Sequence, residues 1–126
     1  MDESSEAYRA RAISQATAAI AIGHADEKNL RELLILTTDG NSAPMVMEYF
    51  RRHIGDRELL KNLVKIALEG EDEGDAPWAA ANTIVEFPVE LLKEHEADLQ
   101  LLSQEQWTYL SDPAKKALGK IANADS

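Results

Sequence analysis

Residues 69–88 read Glu69-Gly70-Glu71-Asp72-Glu73-Gly74-Asp75-Ala76-Pro77-Trp78-Ala79-Ala80-Ala81-Asn82-Thr83-Ile84-Val85-Glu86-Phe87-Pro88, an acidic, glycine-punctuated stretch opening directly into an apolar one. The first seven of these residues carry five carboxylates and no cation, and unpaired carboxylates belong in water. The rest has a proline suited to a first helical turn, one large aromatic, a run of alanines, and then Ile84, Val85 and Phe87. That is a helix whose small side chains admit close neighbours. A negative edge thus sits beside a packed helix.

On either side, apolar residues recur at helical spacing, glycine and proline fall between the apolar segments, and no stretch alternates long enough for a strand. The fold class is all-α: a single domain over residues 1–126 of about seven or eight short helices, with 1–5 and 123–126 expected to fray. A first helix is predicted over Glu6–Ile22, capped by Ser5 and stopped by Gly23, with Tyr8, Ala12, Ala16, Ala19 and Ile20 on one side. Asp26 caps a second over Glu27–Thr38, with Leu30, Leu33, Leu34 and Thr37 inward. Ser42 and Pro44 start a third, running to His53 and carrying Met45, Val46, Tyr49 and Phe50 inward. Asp56 opens a fourth over Arg57–Glu69, whose wide apolar stripe marks it as the central helix. A fifth runs from Pro77 to Phe87, and Pro88 ends it. Val89, Leu91, Leu92, His95, Leu99 and Leu102 predict a sixth helix or a broken pair. Ser103-Gln104-Glu105-Gln106 reads as a capping box before a short helix holding Trp107 and Leu110, and Asp112-Pro113 as the start of a last one.

Two segments answer each other. Ala114-Lys115-Lys116-Ala117-Leu118-Gly119-Lys120-Ile121 repeats the small-small-large-small-large order of Ala80-Ala81-Asn82-Thr83-Ile84-Val85-Glu86-Phe87, and both follow an Asp and a Pro near a helix start. In this half the chain resembles HEAT-like helical repeats, which implies stacked helix pairs and a concave binding face. An arginine before the alanine, usual in that family, is absent: Trp78-Ala79 and Ser111–Ala114 occupy those places. An irregular helical bundle satisfies the same pattern.

The formal net charge is −10, and residues 69–112 hold twelve acids and one base, Lys93. Nucleic acid and anionic membrane are therefore not the expected partners, since both require cations to meet phosphate. No cysteine is present, which excludes thiol catalysis, disulfides and cysteine zinc sites. No apolar run approaches the roughly 20 residues of a membrane span. The acidic, polar Met1–Glu6 is unlike a signal peptide, so the expected location is cytoplasmic.

The acidic stretch fails as a calcium loop because the position of the closing carboxylate is Ala80. His24, His53 and His95 are read as helix-end or core-edge residues bonding terminal groups, not as metal ligands. Glu90, Glu94 and Asp98 lie one helical turn apart, but no nucleophile elbow or phosphate-binding glycine loop accompanies them, so they read as a solvated face. Arg51, Arg52, Arg57, Lys61 and Lys65 form the main basic cluster, matched to Glu48, Glu58 or the acidic segment. Trp78 and Trp107 are read as core residues in preference to exposed anchors.

The functional expectation is a non-catalytic protein-binding module with no cofactor and no metal. Glu71, Asp72, Glu73 and Asp75, with Glu94, Glu96 and Asp98, present negative charge to a basic protein, and Trp78 or Phe87 supplies the apolar anchor. In size and acidity the chain resembles immunity-type proteins that neutralise basic nuclease toxins. The alternative is a structural or regulatory subunit that homo-oligomerises through apolar helix faces.

Overall fold

The computed structural model describes residues 5–69 and 75–125, and the regular elements among them are all helical. Helix α1 (Ser5–Ile22) stops at Gly23, whose φ of +90° lies in the left-handed region that glycine enters at no steric cost. Helices α2 (Glu27–Leu36) and α4 (Arg57–Ala67) begin alike. Asp26 and Asp56 have extended backbones, and each accepts from two backbone N–H groups with its Oδ1: Lys28 and Asn29 at 2.9 and 3.4 Å, Glu58 and Leu59 at 2.9 and 3.2 Å. Both are the N-caps that the sequence predicts. Helix α3 (Ala43–Arg52) has Pro44 in its first turn, but Ser42 does not cap it. The buried Ser42 Oγ instead donates to the Leu36 carbonyl at 3.0 Å and closes the end of α2.

Helix α5 (Asp75–Ile84) begins two residues before the predicted start. The following segment is a broken pair: α6 (Val89–Leu92), a 3-10 turn over Lys93–His95, and α7 (Glu96–Ser103). Helix α8 (Thr108–Asp125) corrects two expectations. Ser103 is the last residue of α7, its Oγ donating to the Gln100 carbonyl at 2.7 Å, so no capping box forms there. Asp112-Pro113 opens no new helix, because Pro113 is buried inside α8. Its ring removes one backbone donor near the helix start, while Leu110, Ala114, Ala117 and Ile121 form an unbroken buried stripe through it. Ser5 and residues 123–125, expected to fray, lie within helices.

Packing places α5, not α4, at the centre. Helix α5 lies against α2, α4 and α8; α7 packs on α8 and α4, α6 on α8, and α1 on α2 and α3. Helix α4 buries Leu59, Leu60, Leu63, Val64, Ile66 and Ala67, as its wide stripe requires. Helix α5 buries Ala76, Pro77, Ala79, Ala80, Ala81 and Ile84, small enough to admit three helices. Tyr8, expected inward, is half exposed at 50%, because α1 buries only Ala12, Ala16 and Ala19.

Side chains from one helix close the ends of another. Asn29 Nδ2 donates to the Ala19 carbonyl at 2.8 Å and to that of Gly23, finishing α1. Lys120 Nζ on α8 donates to the Val85 and Phe87 carbonyls at 2.7 and 3.0 Å, closing the turn after α5. Carbonyls at and just beyond a helix end need partners from outside the helix. Lys120→Met, which keeps the aliphatic stem and removes the donor, should lower stability in urea denaturation by about 1–3 kcal/mol. Lys115→Met on the exposed side of α8 should stay within about 0.5 kcal/mol of wild type.

Candidate functional site

Along α5 and the turn after it, Asp75, Trp78, Asn82 and Glu86 are exposed, whereas the alanines, Pro77, Ile84 and Phe87 are buried. Their spacing of three, four and four residues puts them on one line. A cleft of about 420 Å³ separates this line from Met47, Phe50, Arg51 and Ile54 of α3 and its C-terminal turn. A second, of about 300 Å³, separates it from Thr108, Tyr109, Asp112, Pro113 and Lys116 of α8. Trp78, Asn82 and Glu86 line both clefts, so the indole forms a ridge between two hollows. Asn82 Nδ2 donates to the Trp78 carbonyl at 2.9 Å.

The core reading of the two tryptophans is corrected: Trp78 is 41% and Trp107 42% exposed. Helix α5 meets its neighbours at alanines, and Trp78 lies on the line that faces away from those contacts. Trp107 precedes α8, with its ring centroid 6.2 Å from that of Tyr109. Phe87 is fully buried, so of the two expected apolar anchors only Trp78 is accessible.

The expected acidic residues divide. Asp75 joins the line on α5, while Glu71, Asp72 and Glu73 lie outside the described residues. Glu94, Glu96 and Asp98 belong to the 3-10 turn and α7, and neither cleft is lined by them. Arg57 clamps Glu94 with Nε to Oε1 and Nη2 to Oε2, both 2.8 Å. These bonds hold the Glu94 carboxyl below its ordinary range and raise the Arg57 guanidinium. Asp98 Oδ2 lies 3.9 Å from His95 Nδ1. The basic cluster is matched in part as expected, with Arg51 and Arg52 on Glu48, while Lys65 pairs with Glu27. Glu86 and Asp112, which sequence reasoning missed, flank Trp78 and form no ion pair among the described residues. The signal for Glu86 was its place in the polar line on an otherwise apolar helix.

A second constellation joins the turn after α1 to α3 and α4. His24 Nδ1 lies 2.6 Å from Tyr49 Oη, and His24 Nε2 lies 2.8 Å from Asp56 Oδ2. A carboxylate only accepts, so in the neutral form of the His24 ring the hydrogen sits on Nε2 and the Tyr49 hydroxyl donates to Nδ1. The His53 ring lies against both, with centroids 5.0 Å from His24 and 4.5 Å from Tyr49. His24 therefore bonds side chains from two distant helices, not the terminal carbonyls expected. Burial, followed by the Asp56 charge, raises the Tyr49 phenol above its ordinary value. Burial pushes the Asp56 carboxyl up, but hydrogen bonds from His24, Leu59 and Glu58 and the His24 charge outweigh it and leave the group lowered.

No family model, curated protein or solved structure matches the chain.

The lowered Asp56 pKa means that the unfolded chain binds this proton more readily than the native one. The resulting stabilisation is complete above the unfolded aspartate value of ~3.9 and is lost as pH falls through the lower folded value. Asp56→Ala, which also removes the cap of α4, should cost about 0.5–2 kcal/mol at neutral pH. Urea denaturation across a pH series should show the gap from wild type shrinking below ~3.9.

Proposed function

We propose that the chain is a non-catalytic protein-binding module that seats an extended, basic segment of a partner protein across Trp78. The observation that carries this reading is the exposed line on α5. A helix otherwise buried on every side presents one large aromatic residue, 41% exposed, between two clefts. Partly exposed tryptophans beside pockets are the residues that dominate binding energy when a partner covers them. Asp75 and Glu86 on the same line and Asp112 on the facing wall supply three carboxylates beside the indole, against Lys116 on that wall and Arg51, which Glu48 holds. A lysine or arginine placed there would meet an aromatic face and carboxylates together, and the cation–π part contributes about 0.5–2 kcal/mol. The wider acidity would speed the encounter.

This reading moves the binding centre from the predicted acidic segment to α5. It keeps Asp75 and Trp78, adds Asn82, Glu86 and Asp112, and drops Glu94, whose charge Arg57 already meets. It also treats the C-terminal half as a short HEAT-like stack in which α4–α5 and α7–α8 are successive helix pairs. The contacts of α4 with α5 and of α7 with α8 within each pair, and of α5 with α8 and α4 with α7 between them, support that grouping. An immunity-type protein that blocks a basic toxin is one biological form of the proposal, by analogy of size and charge.

The test is binding to an array of lysine- and arginine-rich peptides, with circular dichroism confirming the fold of each variant. Trp78→Ala should remove most of the signal, a loss of about 2 kcal/mol or more if Trp78 is a hot spot. The pair Glu86→Gln and Asp112→Asn should weaken binding and flatten its salt dependence. A wild-type chain that selects no basic peptide, or variants that bind as wild type does, would overturn the proposal. Sedimentation of the same proteins tests the alternative: a salt-insensitive dimer dissolved by Trp78→Ala would assign the ridge to self-association.

A further inference from the structure

We propose that His24, His53 and Asp56 form a binding site for a borderline divalent cation, with Zn²⁺ the member that fits best. The three side chains come from the turn after α1, the C-cap of α3 and the N-cap of α4, and each is partly buried. One donor atom from each lies within 4.8 Å of the other two. Zinc–nitrogen and zinc–oxygen bonds of ~2.0–2.1 Å at tetrahedral angles place ligand atoms about 3.3 Å apart. His24 Nε2 and Asp56 Oδ2, now 2.8 Å apart, would open by about half an ångström, and the widest separation in the donor set would close by no more than about 1.5 Å.

The division of labour on each ligand suits a metal better than a hydrogen-bonded triad alone. Asp56 caps α4 with Oδ1, so Oδ2 can turn to an ion without uncapping the helix. Among the described residues no hydrogen bond reaches the His53 imidazole, although it lies against His24 and Tyr49, so one ligand stands beside the pair unused. Tyr49 provides the supporting contact that metal-bound histidines require. On binding, the hydrogen on His24 Nε2 is replaced by the metal, Nδ1 carries the hydrogen instead, and Tyr49 Oη turns from donor to acceptor, so the proton count is unchanged. The neighbouring cations do not compete: Arg57 is held by Glu94 and Arg52 by Glu48. Two neutral imidazoles and one carboxylate make a nitrogen-rich set of the kind that zinc and cobalt prefer over calcium or magnesium. Three protein ligands would leave the fourth tetrahedral position to water. The ion would tie three separate elements together.

The test uses the whole chain, first stripped with a chelator, then titrated with Co²⁺ and Zn²⁺. Expected are visible d–d absorption of tetrahedral strength that saturates at one Co²⁺ per chain, displacement by Zn²⁺, and a higher melting temperature with Zn²⁺. His53→Ala removes a ligand but neither bond of His24, so it should lose the spectrum and the Zn²⁺-induced rise in melting temperature while the apo chain keeps its helical circular dichroism. Tyr49→Phe should retain the spectrum while weakening affinity roughly 10–100-fold, the usual cost of losing a supporting group. Absence of a saturable tetrahedral spectrum would overturn the proposal. So would a spectrum that survives both His53→Ala and His24→Gln, or one abolished by Glu71→Gln with Glu73→Gln, since the acidic stretch would then hold the ion.

Discussion

The closeness with which helices approach α5 governs the rest of the fold. Interhelical distances of 8–10 Å depend on the side chains at the crossing, and α5 offers Ala76, Ala79, Ala80 and Ala81 to its neighbours. Helix α8 answers with Ala114 and Ala117, and α1 meets its own neighbours through Ala16 and Ala19. Small contacts of this kind gain little per residue from burial, so the larger hydrophobic contribution comes from beside them. Leu59, Leu60 and Leu63 of α4, Leu30, Leu33 and Leu34 of α2, and Phe87 after α5 are fully buried, at about 1.5–3 kcal/mol each. The same geometry dictates where Trp78 goes. The buried faces of α5 are taken up by close alanine contacts, so its largest residue stands on its one open line.

Short helices create a second constraint, since each leaves four N–H and four C=O groups without an internal partner at its ends. The chain meets it largely with polar side chains reaching across elements. Asn29 of α2 closes α1, Ser42 closes α2, and Lys120 of α8 closes the turn after α5. Asp56 closes α4 while holding His24 from the turn before α2. These contacts are directional where alanine packing is not. They fix the angles at which smooth helices lie, and α5 and α8 in particular are joined by both kinds of contact.

Much of this was readable from local chemistry. Asp26, Asp56 and Gly23 declare helix ends by residue type alone, and the break between α6 and α7 follows from irregular apolar spacing. Pro113 misled because its local signal was strong, while the competing signal, the stripe through Leu110, Ala114, Ala117 and Ile121, only becomes decisive with a partner on which to pack. Ser42 and Ser103 carry the right hydroxyl for a cap, but each donates to a preceding carbonyl instead. The site was harder still. Asp75, Trp78, Asn82 and Glu86 could have been seen as one line by counting, but the walls of the two clefts come from α3 and α8. The His24–Asp56 contact spans 32 residues and depends on how two turns meet.

Helix α3 links the two sites. Tyr49 and His53, one turn apart, face the His24 constellation, while Phe50, Arg51 and Ile54 line the cleft beside Trp78. The Tyr49 and Phe50 rings touch edge to face at 5.6 Å, so the two faces share an aromatic contact. Helix α3 packs on α1 and α2, and the bonds from His24 to Tyr49 and Asp56 add a polar tie between its position and the start of α4. The proposed partner site and the proposed metal site are thus two faces of one element, because α3 and its C-terminal turn point Tyr49 and His53 one way and Phe50 and Ile54 the other.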